Sequence, residues 1–201
     1  MNFVEAVNEC LTITARPDRT AEIESALNWA ISHCCLKSNF AYDLVESSLI
    51  IDPTLYGDTV QFNNVVVPPV PVSRFRKFKY VKPYGVKKYL KPIGSDKIFT
   101  PGSYMQKDVY YVAGDNLTYI LSALSPSLEL SYYQYPPILD QITTTTFWLL
   151  DMAPWAVIDL ASARIFRSIG DDESMRQYQS MGDEMLRIAR RDFENGHLEG
   201  V

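Results

Sequence analysis

Apolar positions near the N-terminus recur every three or four residues, which is the spacing of one helix face. Residues 2–14 carry one such stripe, and a second begins after Asp18 or Thr20 and ends near Lys37. The second stripe consists of Ile23, Ala26, Leu27, Ala30, Ile31 and Cys34. Pro17 separates the two stripes, and proline interrupts a helix. The pattern therefore predicts two helices in this region.

Helical spacing returns in the last third of the chain. A helix is predicted over residues 154–168, because proline at its first position has no N–H to satisfy. Gly170 ends that helix, and Asp171 or Asp172 begins a final helix that continues to about Asn195. The buried stripe predicted for this final helix consists of Met175, Tyr178, Met181 or Gly182, Met185, Ile188 or Ala189, and Phe193.

The central part of the chain has short β-prone runs that are separated by proline and glycine. Runs over 109–112 and 117–121 flank the polar turn 114–116, which predicts a β-hairpin. A third strand is predicted over 128–133, and we expect the three strands to form an antiparallel meander. The proline-rich segment 65–71 is predicted to be extended and to lie outside any central strand.

These periodicities together predict an α+β fold. Residues 1–41 and 139–201 are expected to form one helical bundle, and 42–138 a central antiparallel β-rich insertion. The aromatic residues follow the same division, since twelve of the 13 Tyr lie between Tyr42 and Tyr135 while all three Trp lie in the helical ends. Tyr favours strands because its ring packs well on a pleated surface. The predicted core of the bundle consists of Leu27, Trp29, Ile31, Trp148, Trp155 and Phe166.

Size and composition indicate an ordinary globular protein. A chain of 201 residues with 47% hydrophobic residues is long and apolar enough to bury a core. No apolar run reaches the roughly 20 residues that span a bilayer, and the N-terminus has no basic, signal-like region. We therefore expect a cytoplasmic site of synthesis and no membrane partner. Cys10, Cys34 and Cys35 are expected to be small buried hydrophobes, because an odd, partly adjacent set makes a poor disulfide framework.

Charge changes this picture, because it is strongly segregated. Residues 74–97 contain nine basic residues and one acid, so they carry +8 and the remainder of the chain carries −13 out of a net −5. The stretch begins as a predicted strand in which Arg74, Arg76 and Phe78 alternate with Phe75, Lys77 and Lys79. A chain with this distribution presents a basic subregion beside an acidic body.

Three interpretations of the basic stretch stay open. Its interleaved cations and rings resemble a stacking and phosphate-binding surface for single-stranded nucleic acid. It also fits a twisted strand pair with solvated lysines and buried rings, or a docking surface for an acidic neighbouring subunit. The acidic body weakens the first interpretation but not the third. The residues predicted to contact a partner are Arg74, Arg76, Lys77, Lys79, Lys87 and Lys88.

No motif for catalysis, a metal or a cofactor is found along the chain. His33 has Trp29 and Lys37 at helical spacing, and neither is a metal ligand, so a structural role is favoured. His197 lies in the C-terminal tail. The acidic run 171–173 is typical of a helix N-terminus. We therefore predict that the protein is not an enzyme and carries no cofactor.

Several phrases of the sequence nevertheless resemble one protein family. The second helix reads AEIESALNWAISHCC, and a proline-rich β segment follows it. LELSYYQYPPIL then forms a strand that ends in Tyr-x-Tyr-Pro-Pro, and the last two helices are joined at Gly-Asp-Asp. In element order and in these phrases, the chain resembles the head-to-tail adaptor (connector) proteins of short-tailed bacteriophages. The resemblance covers most of the chain but not the basic stretch.

The resemblance implies a structural role in the virion. Such adaptors form a ring, typically of twelve copies, that sits beneath the portal protein and continues the DNA channel toward the tail. The helices would form the ring body, and the β insertion would contact tail nozzle or tail fibre proteins. DNA would pass through the lumen without sequence-specific binding, which an acidic wall favours because it repels phosphates. The alternative is a nucleic-acid-binding module that uses residues 74–97.

Overall fold

A computed structural model describes residues 1–61, 74–94, 106–142 and 146–196, with side chains described as far as residue 192. The chain has the predicted α+β fold, with a helical bundle from its two ends and a central β-rich insertion. It divides into two compact units. The helical unit consists of Met1–Asp43 and Pro136–Val201, and the β unit of Leu44–Tyr135. The proline-rich segment 65–71 and His197 lie outside the described residues.

The described part of the helical unit contains five α-helices. They are α1 Phe3–Thr14, α2 Thr20–Lys37, α3 Trp148–Met152, α4 Pro154–Ser168 and α5 Asp172–Gly196. Short 3₁₀ turns at Pro17–Arg19 and Ala41–Asp43 follow α1 and α2. The helix α4 packs against α1, α2 and α5, and is therefore the centre of the bundle.

Local signals in the sequence explain where these helices begin. Asn2 caps α1 in a capping box, in which its side chain accepts from the Glu5 N–H and the Glu5 carboxylate accepts from the Asn2 N–H. Asp171 accepts from the Ser174 N–H at 3.0 Å, so the acidic run is a helix N-terminus, as predicted. Gly170 adopts a φ of 78° between α4 and α5, a value that glycine reaches at little cost.

The core prediction for the bundle is correct except at one residue. Leu27 and Ile31 are fully buried, Phe166 is buried, and Trp29 is half-buried against the same core. Trp148 also packs there, and its indole N–H donates to Asp43 at 2.9 Å. Trp155 contradicts the prediction, because it is 44% exposed. It stands in the first turn of α4, on a side of that helix that its neighbours leave open.

The buried face of α5 also differs from the predicted stripe. Gly182, Leu186 and Ala189 are buried, whereas Met181 and Met185 are exposed by 45% and 37%. A Cβ at position 182 would lie 2.7 Å from the Leu160 Cγ, so glycine allows α5 to approach α4 closely. Gly182, Leu186 and Ala189 share the buried face, because residues three and four apart lie on one side of a helix, and Met181 and Met185, each one position before a buried residue, lie on the adjacent exposed side.

The β unit is built from seven described strands. They are β1 Leu44–Ile50, β2 Gly57–Gln61, β3 Phe75–Pro83, β4 Lys91–Pro92, β5 Val109–Ala113, β6 Asn116–Ile120 and β7 Ser127–Gln134. One sheet has the order β1-β7-β3, and the other has the order β2-β6-β5-β4. All pairings are antiparallel except the short β4–β5 pair. Buried residues of both sheets, including Tyr119 and Tyr132, form one core.

The predicted hairpin is confirmed, but the predicted meander is wrong. The strands β5 and β6 pair through a tight turn in which Gly114 has a φ of 57°. The strand β7 does not join them, because β2 and β5 already occupy both edges of β6. Instead, β7 lies between β1 and β3, and its residues are buried on both faces, as a central strand requires.

Candidate functional site

The predicted contact residues lie on two neighbouring features of the β unit. The strand β3 carries three of them, of which Lys77 and Lys79 are exposed and Arg76 is half-exposed, and the exposed Arg74 directly precedes it. Lys87 and Lys88 follow on an exposed turn, which we call the 84–89 turn. The sequence-based expectation that these six cations lie mostly at the surface therefore agrees with the structure. Whether they contact a partner is a separate matter.

Two irregularities in β3 break the alternation that the sequence suggested. The register with β7 shifts between Phe75 and Lys77 and again between Phe78 and Tyr80, so Arg76 and Lys79 are the extra residues of β-bulges. As a result, Phe75 and Phe78 face the same core instead of opposite sides. Their rings are 4.5 Å apart between centroids. These two rings therefore pack against the core and are partly buried, which limits the area they offer for stacking on bases.

Most of the cations already have neighbours within the β unit. The Arg74 Nη2 donates to the Gln134 side chain at 3.0 Å, and the Lys88 ammonium forms an ion pair with Asp108 at 2.9 Å. Hydrogen bonds from Ser122 and Lys88 hold the pKa of Asp108 below its usual value. Lys87, in contrast, forms no ion pair with any residue that the structure describes. Its charge is therefore available to a partner.

The 84–89 turn combines this free charge with exposed apolar side chains. Gly85 adopts a φ of 71°, which turns the chain sharply between its neighbours. Tyr84 and Val86, on either side of it, are 61% and 41% exposed. Tyr89 is also exposed, although its ring contacts that of Tyr80 at a centroid distance of 4.9 Å. Exposed aromatic rings are enriched at binding surfaces, and the neighbouring lysines add charge that orients a partner.

A second feature, in the helical unit, was not predicted. A groove of about 640 Å³ runs between α4 and α5 beside the end of α1, and we call it the α4–α5 groove. Its apolar walls are formed by Ile13, Trp155, Tyr178, Met181 and Met185. The volume lies within the range of sites that bury ligand-sized groups. Trp155, Met181 and Met185, which the sequence analysis assigned to the core, therefore all line this groove.

A buried carboxylate borders this apolar groove. Asp159 is one turn beyond Trp155 on α4 and is only 3% exposed. Its side chain forms no hydrogen bond or ion pair with any of the described residues. Burial raises the pKa of Asp159 to about 6. The nearby Cys10 thiol is also buried, which raises its pKa to about 12 and keeps it neutral.

The rim of the groove carries an ion pair, so the negative charge of the groove comes from Asp159. Glu184 lines the groove, and its carboxylate accepts two hydrogen bonds from the Arg187 guanidinium, at 2.6 and 2.8 Å. The groove therefore joins large apolar side chains to negative charge. Chemically, such a surface suits a segment that carries an apolar side chain and a cation together.

The remaining titratable residues that the sequence singled out are packed within the bundle. The His33 ring stacks on Trp29 at 4.9 Å, and the Arg164 guanidinium lies over the Trp29 ring at the same distance. Desolvation, followed by the charge of Lys37, lowers the pKa of His33. All three cysteines are buried thiols, as predicted.

The described residues contain neither a metal-binding cluster nor a membrane-spanning helix. Among the described residues, no cluster of His, Cys, Asp and Glu is arranged to hold a metal ion. Within the same residues, no helix combines the length and the apolar character that crossing a membrane requires. Comparison with models of known protein families and with curated proteins finds no match. The 84–89 turn and the α4–α5 groove stand as candidate sites on the exposed side chains described above.

Proposed function

We propose that this protein is a structural adaptor of a short-tailed bacteriophage, which joins the portal to the tail as a homo-oligomeric ring. The ring, of about twelve copies, would continue the DNA channel. The β unit would contact tail nozzle or tail fibre proteins through Arg74, Arg76, Lys77, Lys79, Lys87 and Lys88. The protein would act at the head–tail interface of the virion after assembly in the host cytoplasm.

The observation that supports an assembly role best is the exposed apolar groove. Trp155, Met181 and Met185 are large apolar side chains that the chain does not bury for itself. Contiguous exposed apolar surface of this kind marks sites of interaction with other proteins. Trp and Met are also enriched at protein interfaces. The groove is therefore a natural subunit or partner contact.

Segregated charge is a second support. The stretch 74–97 carries +8 while the remainder carries −13. Surfaces of opposite charge orient copies of one chain during association and speed their encounter, and salt weakens this attraction. An acidic remainder also suits a channel along which DNA slides without binding.

The decisive experiment is a size measurement of the purified protein with and without the portal protein of the same phage. Light scattering coupled to gel filtration is expected to show a large complex in which about twelve copies join one portal ring. Absence of any complex at low and at physiological ionic strength would contradict the adaptor proposal.

A second candidate function is nucleic-acid binding through the basic stretch. The observation that favours it is the exposure of Tyr84 and Tyr89 beside Lys87 and Lys88. Aromatic rings beside lysines bind single strands through stacking and phosphate contacts. Against it, Phe75 and Phe78 are partly buried against the core of the unit. Salt-sensitive binding of a labelled oligonucleotide, with no portal affinity, would favour this candidate.

A further inference from the structure

We propose that the 84–89 turn of one copy occupies the α4–α5 groove of a second copy. The proposal deepens the assembly function above, on which it rests, by naming the two surfaces that meet between neighbouring subunits. It commits to a second copy of this chain as the occupant, because the chain itself carries the complementary surface.

The groove sets two requirements for its occupant. Its walls are apolar, with Trp155, Met181 and Met185 turned toward solvent. At its border, Asp159 is 3% exposed and has no polar partner among the described residues. A buried carboxylate without a partner is costly, and a cation with good geometry offsets that cost. The occupant therefore has to present apolar groups and a cation within a few residues.

The 84–89 turn meets both requirements. Tyr84 and Val86 supply exposed apolar groups on either side of the bend at Gly85. Lys87 comes directly after them, and its ammonium has no ion pair among the described residues. Lys88 suits the role less well, because it is paired with Asp108. The geometry therefore assigns Lys87 to Asp159 of the neighbouring copy.

This contact is heterologous, because donor and acceptor are different surfaces of the chain. The turn belongs to the β unit and the groove to the helical unit. Each copy thus offers one turn and one groove, so each can contact two neighbours. Head-to-tail contacts of this type generate rings when the rotation between copies closes. The proposal therefore accounts for a ring without requiring a two-fold interface.

The test uses one variant for each surface. Lys87→Glu reverses the charge of the turn, and Met181→Glu replaces an apolar wall of the groove by a carboxylate that docking of Tyr84 and Val86 would have to desolvate. Both positions are exposed, so neither change is expected to unfold the chain. The matched controls are Lys107→Glu and Met152→Glu, which make the same changes at exposed positions outside the two surfaces. Circular dichroism confirms that all four fold.

Sedimentation velocity at low ionic strength then follows self-association as the protein concentration rises. Wild type and both controls are expected to associate, and each surface variant is expected to remain monomeric. An equimolar mixture of Lys87→Glu and Met181→Glu is the deciding sample. It retains one intact turn and one intact groove, so association is expected to return and to stop at the heterodimer.

A photo-crosslinking amino acid at Tyr84 provides an independent readout. Mass spectrometry is expected to find crosslinks to Trp155, Met181 or Met185 of another copy. The crosslinking is also done with portal rings present, because they raise the local concentration of neighbouring copies.

The proposal is overturned if Tyr84 crosslinks elsewhere or not at all under both conditions, or if the mixture stays monomeric while wild type associates. Portal binding without these crosslinks would leave the adaptor function standing and remove only this interface. Crosslinks from Tyr84 to the groove without portal affinity would support this interface and contradict the adaptor function.

Discussion

Replacing Asp159 by Asn should stabilise the helical unit, and by an amount that depends on pH. Asp159 is buried beside an apolar groove and has no polar partner among the described residues. Desolvation raises its pKa from 3.8 to about 6. The native state therefore disfavours the ionised carboxylate relative to the unfolded chain. An amide of nearly the same shape carries no charge and removes that penalty.

The size and sign of the effect follow from the two pKa values. In the unfolded chain Asp159 ionises near pH 3.8, and in the folded chain near pH 6. Between these values the folded state holds a proton that the unfolded state has released. Raising the pH through this window therefore lowers the free energy of unfolding of wild type. A pKa difference of about two corresponds to about 3 kcal/mol. Asp159→Asn should match wild type near pH 4 and exceed it by about 2–3 kcal/mol above pH 7.

Urea unfolding followed by tryptophan fluorescence measures this difference directly. Trp29, Trp148 and Trp155 all belong to the helical unit, so the signal reports that unit alone. Titrations at several pH values between 4 and 8, at low protein concentration, give the free energy of unfolding for each protein. The matched control is Asp192→Asn, which makes the same change at an exposed position of α5.

A stability difference between Asp159→Asn and wild type that does not change with pH would refute this reasoning. It would mean that Asp159 titrates normally in the native state. A variant less stable than wild type at pH 7.5 would be a stronger contradiction, because it would show that the native carboxylate is well partnered.

Three further changes test the packing of the bundle by urea unfolding. Gly182→Ala should lower the stability, because the added Cβ would lie 2.7 Å from the Leu160 Cγ and such crowding costs roughly 1–3 kcal/mol. This cost should outweigh the gain in helix propensity of about 1 kcal/mol. Greater stability of the variant would show that α5 has room to shift. Trp155→Ala should cost no more than about 1–2 kcal/mol, well below the 3–5 kcal/mol of a fully buried Trp, because this side chain is 44% exposed; an insoluble variant would restore the original core prediction. Asn2→Ala should cost about 1 kcal/mol through loss of the capping box, and an unchanged transition would show that the first turn of α1 is frayed.

The helices were predictable because their signals are local. Each signal depends on a few adjacent residues. The start of α4 at Pro154, the break at Gly170 and the acidic N-terminus of α5 all lie at the predicted positions. The hairpin of β5 and β6 was predictable for the same reason, since a tight polar turn sets its pairing.

Sheet order and the groove were not predictable in the same way. Sequence order suggested that β7 would follow β6 in one sheet, but pairing depends on which edges distant strands occupy, and β2 takes the free edge of β6. On α5, Met181 and Gly182 were equally compatible with the apolar spacing. The choice depended on the close approach to Leu160, a tertiary contact that no local pattern records. With Gly182 against Leu160, Met181 and Met185 lie at the surface and form one wall of the α4–α5 groove.

The division of the helical unit between the two ends of the chain has a consequence for how the protein is made. The helices α1 and α2 leave the ribosome first, but α4, the helix on which they pack, follows the whole of Leu44–Tyr135. At about 5–20 residues per second, that intervening segment takes roughly 5–20 s to synthesise. During this time α1 and α2 have each other but lack α4, whereas the β unit is continuous in sequence and has all its strands as soon as it is made. The nascent helices are therefore the part of this protein most in need of a chaperone.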